Sequence, residues 1–293
     1  MQPLTRTLLA AATGGLLAAA PAAAAPAPHA FKLPPGFSAE AMTAHDGALY
    51  VGSQVNGEVL RIDVRTGEQT IAVLGRRGVH SNGIRFAGNR IVVAGGTTGR
   101  IFIYDAHDGA PVKTYDVHGG FVNGVGIRGR IAYATDTIRH VVYAFPASGR
   151  GAVRTITLGG SYRPNALDLD GIIPAGNGLL TGQYGTGILY RVDPATNAAT
   201  TVDLGGATVA TDDGLLLSGR RLYVAENSGH IAEVQLNAAM TAGKVVKTLP
   251  AKRLRDPVDV ARIAGRLYVL NAHSPQQPAR PTDRDEIVDL GKV

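Results

Sequence analysis

Apolar and polar positions in this chain alternate in short bursts, and the bursts recur in groups of four. The stretch VATDDGLLLSGRRLYVAEN, residues 209–227, shows how a group begins. Two acids, Asp212 and Asp213, precede the apolar run LLL; SGR supplies a turn, and RLYV runs back. Short β-branched and apolar runs separated by Gly, Asn, Asp or Pro are the pattern of β-hairpins rather than of helices. The same order recurs in AEAMTAHDGALYVGS, SNGIRFAGNRIVVAGG, VNGVGIRGRIAYATD, LDGIIPAGNGLLTGQ and VDVARIAGRLYVLNA. A third strand follows each hairpin, as in RIFIYD or HIAEVQL, and a fourth follows five of them: QTIAVL, VKTYDV, VRTITL, TTVDL and KVVKTLP.

Each repeat opens on a polar anchor. The anchors are Glu40, Asn82, Asn123, Asp170, Asp213 and Asp259, spaced 42, 41, 47, 43 and 46 residues apart. Four strands per repeat at that period predict propeller blades. The chain is therefore expected to be all-β, a six-bladed β-propeller with four antiparallel strands per blade, forming one domain over 31–293. The sixth repeat has no fourth strand of its own. FKLP at 31–34 stands before Glu40 much as VKTLP stands before Asp259, so this N-terminal strand is expected to complete the last blade and close the ring, protecting sheet edges.

Composition narrows the reading. With 38 glycines among 293 residues and no collagen period, the chain has the turns that a propeller needs. It has no cysteine, which excludes disulfides, thiolate metal sites and thiol chemistry. Net charge is +6, but the basic residues are scattered and aromatics make up only 5%, so no nucleic-acid track is expected. Residues 1–25 carry one early cation, Arg6, an Ala/Leu-rich stretch and small-residue cleavage positions between 22 and 30. That is the pattern of a secretory signal peptide, and the mature protein is expected outside the cell, without membrane contact after cleavage.

The first strand of every blade lines the central channel, and all six run the same way. The anchors should therefore converge on one channel mouth as a ring of oxygen-bearing side chains. Asn-Gly and Asp-Gly are also strong turn dipeptides, so any single site taken alone reads as a turn. Recurrence at one position, together with Glu40, argues for the ring. Two carboxylates about 4.5 Å apart at an effective dielectric near 20 repel by roughly 4 kcal/mol. Such a cluster should take up protons or a hard cation, Ca²⁺ before Mg²⁺.

These residues resemble the gluconolactonase/regucalcin-like propellers, which are related to diisopropyl fluorophosphatase and strictosidine synthase. The resemblance rests on the Glu of blade one, Asn-Gly on blade three, and DDGLLL followed by RLYVAENSGHIAEVQL on blade five, and it covers 31–293. It implies one Ca²⁺ held by Glu40, Asn123, Asp170 and Asp213, with Asn165 as the rival to Asp170. It also implies a metal-dependent hydrolase of a lactone or related ester, working as a monomer on a small-molecule substrate. No counterpart of the family's sugar-acid-binding Arg is found.

On that reading Asp213 is the catalytic base or nucleophile, with Asp212 beside it. His80, two residues before Asn82, is a further candidate base at the mouth. Asn82, Asp259, Arg163 and Tyr184 are the candidate substrate contacts. Two other classes stay open: a non-catalytic binding or scaffold propeller, and a metal-independent condensing enzyme or lyase like strictosidine synthase, driven by a carboxylate such as Asp259.

Overall fold

The computed structural model describes residues 30–209, 212–250, 254–272 and 284–293. The expected leader lies outside these residues. The described residues form six sheets, antiparallel apart from one short edge strand, and no helix. Blade one consists of Ala39–His45, Ala48–Ser53, Val59–Asp63 and Gln69–Val73, each paired with the next. The first strands of blades two to six are Gly83–Ala87, Val122–Arg128, Leu169–Ala175, Asp212–Ser218 and Asp256–Ile263. The protein is a six-bladed β-propeller.

The ring closes as the repeat predicts. Ala30–Lys32 pairs antiparallel with Glu286–Lys292, Phe31 lying opposite Ile287, and supplies the fourth strand of blade six. Phe31 and Leu33 are buried there among Leu49, Ile62 and Leu270, so the closing strand is held by packing as well as by its ladder. The closure is non-covalent, as a chain without cysteine requires.

Blade four departs from the predicted pattern. Its fourth strand is Ala198–Thr201 rather than TTVDL, because the tight turn at 194–197 releases the chain into the sheet at once. Gly159–Gly160 then adds a fifth strand, parallel to it, on the outer edge.

The core is divided. Six apolar clusters each bridge one pair of neighbouring blades, for example Val92, Ile103, Val125 and Phe145 between blades two and three. Alternation in the inner strands explains this: one face of each blade meets the blade before it and the other face meets the blade after it. The outermost strands carry mostly exposed side chains, as in Pro111–Asp116 and Arg154–Thr157.

Where inner strands meet at the axis, backbone touches backbone. A Cβ added to Gly124 would lie 2.5 Å from the Asp170 carbonyl oxygen and 3.1 Å from the Gly171 Cα. Gly83 and Gly171 face the backbone carbonyls of Asn123 and Asp213 in the same way, and Gly214 faces Asp259. The Asn-Gly and Asp-Gly pairs are therefore not turns here. The glycine is required by the close approach of the next blade, and the residue before it is free to face the channel.

Candidate functional site at the channel mouth

In blades three, four and five the register of the first strand against the second slips at the anchor, between Val122 and Val125, Leu169 and Ile172, and Asp212 and Leu215. Blade one slips between Ala39 and Ala41, leaving Glu40 as the extra residue. A β-bulge gives up pairing and re-aims a side chain. Here it turns Glu40, Asn123, Asp170 and Asp213 into one cavity of about 360 Å³ at the channel mouth. Asn123, Asp170 and Asp213 are buried and Glu40 is partly buried.

The other two anchors sit elsewhere. Blade six slips between Pro257 and Asp259, so the bulged residue is Val258, and it is Val258 that lines the mouth. Asp259 lies one position deeper, where the channel narrows. Its Oδ2 accepts the Met42 amide at 2.8 Å and faces Arg85 Nη1 at 3.6 Å; its Oδ1 accepts the Val260 amide at 2.8 Å. Asn82 stands just before its strand begins and also lines the narrow section, its buried Oδ1 finding no hydrogen-bond partner.

A second tier of mouth residues comes from the second strands. Because these run back antiparallel to the first, their ends return to the same mouth. Gln54, Thr137, Tyr184 and Asn227 each follow the last residue of such a strand and line the cavity. Only Tyr184 is apparent from the sequence; the signal for the others is their shared place after the returning strand. Thr137 Oγ1 accepts a hydrogen bond from Asn123 Nδ2 at 3.3 Å and donates to the Leu169 carbonyl, fixing the amide. The Asn227 amide lies 3.5 Å from the Tyr184 hydroxyl. Oriented with its nitrogen toward the channel, it donates to Asp213 Oδ2 at 3.3 Å and to the Pro257 carbonyl at 3.0 Å.

Three further sequence candidates do not meet the mouth. His80 precedes the strand that starts at Gly83, so strand alternation does not carry it to the channel face; its Nδ1 lies 3.2 Å from Thr97 Oγ1, and burial lowers its pKa. Arg163 is exposed and donates to the Gly160 and Tyr162 carbonyls. Asn165 gives its backbone N–H to Asp168 Oδ2 and does not line the cavity. The Asp212 backbone pairs with Glu226, and its side chain lies outside the described residues.

Electrostatics at the mouth are one-sided. Burial, with Asp256, Asp259 and Asp285 adding to it, pushes Glu40 from its ordinary 4.5 up to about 8, against a hydrogen bond from Gln54. Asp213 is raised well above the carboxylate range, first by burial and then by Asp170, Glu40 and Asp259. Burial also raises Asp256, and it raises Asp259 against the opposing pull of Arg85. No Lys, Arg or His is among the described residues lining the mouth cavity.

As they stand, no three acid or histidine side chains among the described residues are arranged to hold one ion. The donor set nevertheless fits a hard divalent cation in kind: carboxylate and amide oxygens, largely buried, with no described basic side chain on the cavity wall.

No family model matches the sequence, and no curated protein is similar to it. The fold has many solved counterparts. The chain is similar to the major allergen Mala s 1 of Malassezia sympodialis, with 13% identity, a TM-score of 0.69, and coverage of 89% of this chain and 96% of that one. It is also similar to the WD40 repeats of RRP9, with 12% identity, a TM-score of 0.64, and coverage of 90% and 99%. A chain of a nidogen/laminin complex matches at 14% identity and TM-score 0.59, with coverage of 74% and 83%. At such identities the likeness is one of fold, and function has to be argued from the site.

Proposed function

We propose that this protein is a divalent-cation-dependent hydrolase, acting at the channel mouth on a lactone or related ester. The observation that carries the reading is the mouth cavity itself. Four acids and the Asn123 amide, from five different blades, face a space of about 360 Å³, within the usual range for small-molecule sites, and no basic side chain is described on its walls.

Glu40, Asn123, Asp170 and Asp213 would hold the cation, with Ca²⁺ the first choice for an all-oxygen set. When bound, the ion would polarise the ester carbonyl and stabilise the charge developing on its oxygen. Asp213 would take a proton from water or attack directly, with Asn227 engaging its Oδ2. Thr137 engages the Asn123 amide nitrogen, which would leave the amide oxygen for the cation. Tyr184 and Val258 form the walls that limit bulk water.

Calorimetric titration of calcium into metal-stripped protein tests this, beside Asp213→Asn and a pH-stat assay on neutral lactones. Stoichiometric binding that is lost in the variant, with calcium-dependent turnover, is the expected result. The second reading is a ligand-binding propeller without catalysis. It is favoured by the lack of three acids already gathered around one point among the described residues. Ligand binding with neither calcium uptake nor turnover would establish that reading instead.

A further inference from the structure

We propose that the channel mouth is built for a ligand whose non-reacting part is uncharged and aliphatic, seated on Ile138 and Leu167. The identity of the reacting lactone or ester head rests on the hydrolase reading above; the preference for the body does not.

Ile138 and Leu167 are each 50% exposed, and both line the mouth cavity. Other exposed large apolar residues, such as Ile71, Val112 and Val246, lie singly on outermost strands and line no part of this cavity. Scattered exposure of that kind calls for no explanation, whereas two aliphatic side chains facing each other's cavity do.

Both loops are held rigidly. Asp136 is fully buried, and its Oδ1 accepts the amides of Phe121 at 3.0 Å, Ile138 at 3.1 Å and Arg139 at 2.9 Å. Its Oδ2 accepts the Gly120 amide at 2.9 Å and the Tyr143 hydroxyl at 3.0 Å. One carboxylate therefore fixes the two segments that present Phe121 and Ile138. Asp168, also fully buried, does the same beside Leu167. Its Oδ2 accepts the Asn165 amide at 3.0 Å and the Tyr162 hydroxyl at 2.6 Å, and its Oδ1 accepts Gln183 Nε2 at 2.8 Å. His140 Nδ1 lies 2.8 Å from Asp168 Oδ2, which brings the Ile138 loop beside the Leu167 loop.

Two apolar side chains left half in water on a locked frame have no induced collapse to hide them. That is preorganisation for an apolar partner, because little ordering remains to be done when one binds. The rest of the cavity wall offers no described Lys, Arg or His to which an anionic body could bind. A sugar acid or a phosphate-bearing body is therefore disfavoured, and an alkyl chain is favoured.

The test uses the full-length chain with calcium and two probe series. γ-Alkyl lactams of increasing tail length, which are not hydrolysed, report binding by calorimetry. The matching γ-alkyl lactones, with D-glucono-1,5-lactone and an amine-bearing lactone as polar controls, report turnover. Lactam binding should tighten about fourfold per added methylene until the cavity is full. Ile138→Ser with Leu167→Ser should flatten that dependence while leaving the melting temperature within a degree or two, and Ile138→Leu should retain it. Binding that ignores tail length, or a polar control preferred over the alkyl series, overturns the proposal. Tail-dependent binding without turnover supports it and removes the hydrolase reading. Turnover indifferent to tail length and to both substitutions does the reverse.

Discussion

Glu40→Gln isolates the electrostatic argument in one side chain. The carboxyl group of Glu40 moves from an ordinary 4.5 to about 8 in the folded protein, mainly through burial. Between those two values the native state holds a proton that the unfolded chain has released. This group's contribution is therefore fully present below pH 4.5 and is lost as the pH rises through 8. At about 1.4 kcal/mol per unit the interval corresponds to ~5 kcal/mol, and partial solvent screening at the mouth brings the expected loss to ~3–5 kcal/mol. For a domain of this size that is about 6–20 °C in melting temperature. Gln carries no charge and can still meet Gln54, so the variant should keep at pH 8.5 the stability that the parent loses. The assay is thermal melting by circular dichroism in chelator, from pH 4.5 to 8.5, on both proteins. Near-coincident curves at pH 4.5 that separate toward pH 8.5, with the variant higher, are expected. Calcium at pH 8 should recover the parent, since a cation replaces the proton. Parallel curves for the two proteins across the whole range would refute the reasoning.

Two further predictions concern the frame. Gly124→Ala forces a methyl group against the Asp170 carbonyl and should cost about 1–3 kcal/mol in urea unfolding, whereas Gly159→Ala, with open space around it, should stay within about 0.5 kcal/mol. Phe31→Ala empties the closure of the ring and should cost about 3–5 kcal/mol, with hydrogen exchange rising first along Glu286–Lys292.

The blade count and the closing strand were legible because both rest on a period that the chain repeats. The anchors at Glu40, Asn123, Asp170 and Asp213 were legible for the same reason: bulge and glycine recur together in three of the four. Blade six misled by one residue. Its bulge falls on Val258, and a bulge shifts register without any sign in the apolar pattern, so Asp259 looked equivalent to Asp213 when it is a buried partner of Arg85 and the Met42 amide. The Asn227 contact and the Asp136 and Asp168 clamps depend on which loops meet in space, and periodicity carries no such information. Arg163 was expected as a substrate contact, but it donates to the backbone carbonyls of Gly160 and Tyr162 and does not line the mouth cavity.

The line of glycines at the axis has a consequence for traffic. Where backbones of neighbouring blades are in contact, the bore is set by backbone packing rather than by side chains that can swing aside. Beneath the mouth it narrows to a space of about 20 Å³ before opening, past Arg85, into a separate hollow of about 260 Å³ near Arg262 at the other end. A space of that size admits one water and excludes any organic molecule. The upper cavity is thus a cup whose base is too narrow for an organic molecule, so a ligand seated in it would enter and leave by the rim.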